Sequence, residues 1–470
     1  MSSLPLAPPW LAVPDDANRL APGLWPMSAS RDADGELRID GVGAGDLARE
    51  FGTPLFVVDE ADVRTRARTI RSAFEAEFER IGSRATVYYA AKAFLCTEVA
   101  RWVVDAGLNI DVCSGGELAV ALAAGTDATR IGLHGNNKSR AEIDRAVEAG
   151  IGVIVIDSLI EIERIADACA RHARVQRVRL RVNSGVHAHT HEYLATARED
   201  QKFGVTLADV PAAVARIRAH AGLDFLGLHS HIGSQIFETD GFAEAARRLL
   251  AVHAELLATG PVPELNLGGG FGIAYTSIDE VMPVEMIARR FADTVAAECE
   301  ALNIPVPRIA IEPGRSIIGP STVTLYEVGT TKPVLVSVAD DVTATRLYVS
   351  VDGGMSDNIR SALYAADYAV RLANRVSDAE PALVRVVGKH CESGDIVVRD
   401  DYLPNDVTPG DLLAVPATGA YCWSLASNYN YLGRPPVVAI AGGTARVIVR
   451  GETEADLLSR DAGIAPNGAR

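Results

Sequence analysis

Between Ala85 and Gly314 the chain alternates short apolar runs with longer stretches whose apolar residues recur every three or four positions. Eight of the short runs read as strands, at 85–91, 109–114, 131–134, 151–157, 178–183, 223–231, 264–268 and 308–312. The intervening stretches read as amphipathic helices. In the first of them Leu95, Val99, Trp102, Val103 and Ala106 form one apolar stripe that stops at Gly107. Ala-Gly pairs at 106–107, 124–125, 149–150 and 221–222 each stand just before a strand, where glycine adopts the left-handed conformation that ends a helix. One strand-helix unit repeated eight times closes most economically into a (β/α)8 barrel; an open doubly wound sheet is the alternative. The barrel is favoured because Lys92, Ser114, His134, Asp157, Asn183, His231, Gly270 and Arg315 all fall at or just past strand C-termini. A barrel gathers those ends on one face.

After about residue 319 the pattern changes to strands with turn signals, at Thr322–Val328, Val334–Val338, Arg346–Val351, Ile396–Arg399, Leu412–Val415 and Val437–Ile440. Residues 24–58 also read as short strands, including Leu37–Ile39 and Leu55–Val58. The expected organisation is therefore a barrel over 59–318 inserted in a β-sandwich or β-barrel-like domain built from 21–58 and 319–470. The first twenty residues, rich in Pro and Ala, are expected to be flexible.

At 470 residues the chain is long enough for two cores, and it has no apolar run of transmembrane length. Its start lacks a basic segment followed by an apolar one, so a cytoplasmic location is expected. Cysteines 96, 113, 169, 299, 391 and 422 are too sparse for a disulfide scaffold or zinc ribbon. A net charge of −16 with no basic block disfavours nucleic-acid and membrane partners and leaves small-molecule chemistry.

Several residues carry that chemistry. Lys92 follows the first strand and opens a helix, where a lone lysine reads as a solvated helix-start residue; buried at a barrel mouth it would instead be held toward the neutral amine that attacks carbonyls. Gly268-Gly269-Gly270 after the seventh strand and Gly314-Arg315 after the eighth occupy the loops where barrels hold phosphate. Arg360 and Tyr364 are four apart, a spacing that on a helical turn points both to one side, and guanidinium forks suit carboxylates. Cys391-Glu392-Ser393-Gly394-Asp395 sets a thiol beside two carboxylates. His187-Ala188-His189-Thr190-His191 has alternating imidazoles but no carboxylate or thiol at a suitable spacing, so no metal is expected.

Together Tyr89-Ala90-Ala91-Lys92, His229-Ser230-His231-Ile232-Gly233-Ser234-Gln235, Glu312-Pro313-Gly314-Arg315, Asp352-Gly353-Gly354-Met355-Ser356-Asp357-Asn358, the Cys391 segment and Gly419-Ala420-Tyr421 resemble the diaminopimelate decarboxylases. These are fold-type III pyridoxal-phosphate enzymes with an alanine-racemase-like fold. The resemblance runs from about residue 20 almost to the C-terminus. It implies that Lys92 forms a Schiff base with pyridoxal 5'-phosphate, that His231 stacks on the ring, and that Glu312 faces the pyridine nitrogen. It implies that Ser234, Gly269, Gly270, Gly314 and Arg315 hold the phosphate and that Tyr421 contacts cofactor or substrate. Arg315, Arg360 and Tyr364 would take the distal carboxylate of meso-2,6-diaminopimelate, and Glu392 its distal ammonium. Cys391 would be the proton donor, contributed with Glu392 across a homodimer with shared sites. The segment from His187 into Glu199-Asp200-Gln201-Lys202-Phe203-Gly204 would be a lid.

The reaction so implied is removal of CO2 at the D-centre, giving L-lysine, the last step of lysine biosynthesis. Alternatives are a decarboxylase of ornithine, arginine or a carboxylated polyamine, which would want acids where this chain has Arg315 and Arg360; an amino-acid racemase using Cys391 opposite Lys92; and a non-catalytic pyridoxal-phosphate carrier, for which the C-terminal domain is superfluous. Cys96, one turn after Lys92, is a candidate oxidation partner for Cys391.

Overall fold

A computed structural model describes residues 6–186, 202–339 and 342–464. The chain divides into two compact units: one comprises Arg64–Gly272 with Glu280–Ile317, the other Met1–Val63, Ile273–Asp279 and Ile318–Arg470.

In the first unit eight strands pair in parallel: β1 (Ala85–Ala90), β2 (Asn109–Val112), β3 (Ile131–Leu133), β4 (Val153–Ile156), β5 (Gln176–Asn183), β6 (Leu223–His229), β7 (Glu264–Asn266) and β8 (Arg308–Ile311). The ladder returns to its start, because Ile309 to Ile311 of β8 pair with Ala85 to Val87 of β1 and β4 pairs with β5. That closure excludes the open sheet. Tyr88, Val153, Leu226 and Ala310 meet as one buried cluster, drawn from alternate members of the ring, β8, β6, β4 and the odd β1.

The helices follow from the pattern that announced them. Thr97–Asp105 buries Val99, Trp102 and Val103. Gly150 ends Arg140–Ala149 with φ +70°, as the Ala-Gly signal required, and Ser139 with Glu142 closes its other end in a capping box. Gly222 does something else. Its helix already ends at Arg218, and a Cβ on Gly222 would lie 3.0 Å from that of Cys169, so close packing demands the glycine. Ser114, one of the strand-end polar residues, caps the helix Gly115–Ala123 by accepting from the Glu117 N–H at 3.2 Å.

In the second unit Leu55–Asp59 pairs antiparallel with the strand Thr322–Ala339 and parallel with Val437–Ala441. Thr322–Ala339 also pairs with Leu412–Pro416 in its first part and with Val342–Val351 in its second. The two strands expected at Thr322–Val328 and Val334–Val338 are one continuous strand, which runs through Gly329 and Pro333. A register shift between Val328 and Thr330 absorbs the glycine, and beyond it the strand is paired along one edge only, where proline is tolerated. Two further strands, Pro381–Val387 and Thr444–Val449, escaped the sequence reading. Leu24, Trp25, Leu37, Leu55, Val323 and Val438 belong to the core of this unit. The N-terminal segment is not loose from residue 6 onward: Leu11 is buried with Leu383 and Tyr402, and Leu6, Trp10 and Val13 pack against them. Among the described residues no helix is long and apolar enough to cross a membrane.

Candidate active site

The ends of the barrel strands converge on Glu312, the first residue past β8. Its buried carboxylate is held by Asn266 Nδ2, which donates to Oε1 at 2.6 Å, and by His229 Nε2, 3.1 Å from Oε2. His134 Nε2 lies 3.3 Å from Oε1 on the other side. Burial works against ionisation, but His134 and His229 outweigh it and hold Glu312 well below the usual carboxylate range. Asp111, in β2, lies 3.4 Å from His134 Nε2. Burial and the neighbouring Glu312 charge push its carboxyl well above that range, so Asp111 stays protonated beside an ionised Glu312. Burial also lowers both histidines. His229 donates from Nε2 to Glu312, whereas His134 Nε2 stands close without a hydrogen-bond partner among the described residues. One ring nitrogen of each histidine and a carboxylate oxygen of Glu312 lie within 4.8 Å of one another, a donor set not foreseen from the sequence.

The three glycines each press against neighbouring backbone, Gly269 against that of Glu312. A Cβ on Gly269 would fall 2.0 Å from the Glu312 carbonyl oxygen, one on Gly270 2.3 Å from that of Gly233, and one on Gly268 2.6 Å from that of Ser230. Asn266 Oδ1 accepts from the Gly268 N–H at 2.8 Å, so one side chain ties the loop to Glu312. The Gly269 N–H donates to His231 Nδ1 at 3.3 Å, which leaves the proton of the neutral ring on Nε2. Burial, then the charges of Lys92 and Arg181, hold His231 well below its ordinary value. Arg315, itself buried, donates to Ser234 Oγ at 2.8 Å. Gly314 completes the set, since a Cβ there would lie 2.9 Å from the Ala90 carbonyl oxygen.

Lys92 stands in the short turn Ala91–Ala93 directly after β1. It is exposed, where the sequence reading expected burial. The residues of this unit suit a planar phosphorylated aldehyde: a side-chain-free turn beside a buried guanidinium for the phosphate, an ionised carboxylate for a protonated ring nitrogen, and an accessible amine for the carbonyl.

In the second unit Arg360 opens the single-turn helix Arg360–Tyr364 and is buried, 6% exposed, whereas Tyr364 is 61% exposed. The two residues of this spacing thus differ in exposure, and the helix that carries them stops at Tyr364 with Ala365 left-handed. Arg360 Nη1 donates to Tyr368 Oη at 2.7 Å and approaches the Ala420 carbonyl at 3.4 Å, while its Nε has no hydrogen-bond partner among the described residues. Tyr421 is half-buried.

Cys391 and Glu392 are exposed on the turn between Pro381–Val387 and Ile396–Pro404. Asp395 fixes that turn, accepting from the backbone N–H groups of His390 at 2.8 Å and Met355 at 2.6 Å. His390 adds contacts at 2.9 Å to both Ser356 Oγ and Asn430 Oδ1 and stacks on Tyr429. Cys96 is buried, and burial pushes its thiol up, which works against the oxidation expected of it. His187 to His191 and Glu199 to Gln201, the expected lid, lie outside the described residues.

Asn266, His229 and Asp111 were absent from the expected site. Each is a polar residue at or one short of the C-terminal end of a barrel strand, and that position was the signal available.

Residues 60–319 match the family model for the pyridoxal-dependent decarboxylase, pyridoxal binding domain. The chain is 53% identical to the diaminopimelate decarboxylase of Mycobacterium tuberculosis over 448 residues, covering 94% of this chain and 98% of that one. It is 43% identical to the enzyme of the same name from Bacillus subtilis, covering 91% and 95%. A crystal structure of diaminopimelate decarboxylase from M. jannaschii in complex with L-lysine superposes with a TM-score of 0.85 at 30% identity, covering 94% of this chain and 98% of the other.

Proposed function

This chain belongs to the pyridoxal-dependent decarboxylases, and from that premise we infer that it removes CO2 from the D-centre of meso-2,6-diaminopimelate to give L-lysine. The observation that carries the chemistry is the ionised Glu312, fixed by Asn266 and His229 at the end of β8. The substrate rests on the relatives' shared activity and on Arg360, a buried cation with donor capacity to spare.

When bound, pyridoxal phosphate supplies the electron sink for the pair released as the Cα–carboxylate bond breaks. Lys92 would hold its carbonyl carbon, Glu312 the proton on its ring nitrogen and His231 one face of its ring. Ser234, Gly269, Gly270, Gly314 and Arg315 would hold its phosphate, with Tyr421 beside it. Arg360, with Arg315 and Tyr364, receives the distal carboxylate of the substrate, and Glu392 the distal ammonium. The Cys391 thiol gives its proton to Cα and recovers it from water.

Cys391 and Glu392 act in this reading on the site of a second subunit, in a homodimer. What supports it is a rigidly tethered turn that presents both side chains outward, with Tyr429 and Tyr431 exposed near it, 41% and 72%. A reducing cytoplasm suits six cysteines of which none forms a disulfide.

Incubating the purified protein with meso-diaminopimelate should yield L-lysine and CO2 in equal amounts, and only with pyridoxal phosphate present. Release of CO2 from ornithine or arginine instead, or racemisation without CO2, would overturn the assignment.

A further inference from the structure

Resting on the reading of Arg360 as the residue that receives the distal carboxylate, we propose that Tyr275 and Tyr368 are positioning residues that set the orientation of its guanidinium and thereby the preference for a ligand carrying that carboxylate. Neither aromatic residue lies in a motif that marked the site in the sequence.

Arginine has a long side chain with about 2 kcal/mol of rotamer entropy, and its planar fork selects a carboxylate only when its direction is fixed. Here three contacts fix it from within the β unit. Tyr368 Oη, with its ring 1% exposed, accepts from Nη1 at 2.7 Å and is itself 3.4 Å from Cys422 Sγ. The Tyr275 ring lies under the guanidinium, with 4.8 Å from Cζ to the ring centroid, and Tyr368 presents its ring at 5.8 Å. The two rings meet edge to face at 5.2 Å and 81°, so each supports the other.

Tyr275 comes from an unexpected part of the chain. It sits in Ile273–Asp279, a stretch between β7 and the helix Val284–Leu302 that packs with the β unit. Asp279 Oδ2 accepts from the Tyr275 and Thr276 N–H groups, each at 2.9 Å, and closes the excursion into a turn. The Tyr275 carbonyl accepts from the Ala369 N–H at 3.2 Å, next to Tyr368, and its hydroxyl donates to the Ala420 carbonyl at 3.3 Å, the oxygen that Arg360 Nη1 also approaches. The arrangement leaves Arg360 Nε without a hydrogen-bond partner among the described residues while the Nη1 side is spoken for. Such a half-committed guanidinium is directed rather than merely charged.

The test uses the holoenzyme and a pair of ligands that differ by one carboxylate, L-lysine and 1,5-diaminopentane, with dissociation constants from titration calorimetry. Tyr368→Phe, which removes one oxygen, should weaken L-lysine binding about tenfold and move 1,5-diaminopentane less than about twofold. Tyr275→Leu, which keeps bulk but removes the ring face, should do the same. The visible absorbance of bound cofactor should be unchanged in both. Equal losses for the two ligands, or no loss for L-lysine in either variant while Arg360→Ala weakens it, would overturn the positioning role. If Arg360→Ala itself leaves L-lysine binding intact, the reading of Arg360 falls, and that outcome is distinct from failure of the tyrosines alone.

Discussion

Asn266 donates to Glu312 Oε1 at 2.6 Å and, through its other side-chain atom, accepts the N–H of Gly268 at 2.8 Å, so a single amide joins the buried carboxylate to the glycine turn. Removing it leaves a buried anion short of a donor, which costs roughly 1–3 kcal/mol. Asn266→Ala should therefore lower cofactor affinity about ten- to a hundredfold, read as loss of bound pyridoxal phosphate on equilibrium dialysis. Unchanged retention would mean that His229 alone suffices to hold Glu312.

Lys92 is the accessible amine at the end of β1. Borohydride reduction of the holoenzyme should leave the phosphopyridoxyl group on the peptide that contains Lys92, and Lys92→Ala should lose both that label and the visible absorbance. A label on another lysine would reject the assignment.

Gly269 has no room for a methyl group, with the Glu312 carbonyl oxygen 2.0 Å from where the Cβ would stand. The obstacle is backbone, which cannot swing aside. Gly269→Ala should cost about 1–3 kcal/mol or more by overpacking and shift the urea midpoint downward. Gly23→Ala is the contrast: nothing lies within 4 Å there, and only the cost of its φ of +81° remains.

His253, buried in the helix Asp240–Leu257 with no partner for Nδ1 among the described residues, has its pKa lowered by burial from 6.5 to about 4. The unfolded chain binds the proton more readily than the folded one. Stability is therefore fully present above about pH 6.5 and lost as pH falls towards 4, by about 3 kcal/mol over the interval. His253→Leu should flatten that part of the stability profile measured by urea titration between pH 7 and pH 4.

The dimeric reading makes its own prediction. If each site takes Lys92 from one chain and Cys391 from the other, a mixed dimer of Lys92→Ala and Cys391→Ala has one doubly damaged site and one intact site. Exchange of the two inactive variants should restore about one quarter of wild-type activity under random C2 pairing. Verified exchange without recovery would show that each chain supplies its own thiol.

The barrel was legible in the sequence because its signals are local. Eight apolar runs, helical stripes such as Val99, Trp102 and Val103, and Gly150 as a helix stop all follow from backbone geometry within a few residues. The resemblance named Lys92, Glu312, Arg315 and Arg360 by the same means, since each sits in a short ordered motif. What the sequence left undecided concerns neighbours distant along the chain. Spacing said nothing of how far Arg360 and Tyr364 are buried, and the one-turn helix buries the first and exposes the second. Local pattern gave two strands at Thr322–Val328 and Val334–Val338, yet a register shift and a one-sided edge carry one strand through Gly329 and Pro333. Which carboxyl keeps its proton, Asp111 or Glu312, depends on His229, His134 and Asn266 arriving from three other strands. Local periodicity determines elements, whereas burial and charge are set by what the closed barrel and the sheet bring together, and only the tertiary structure decides those.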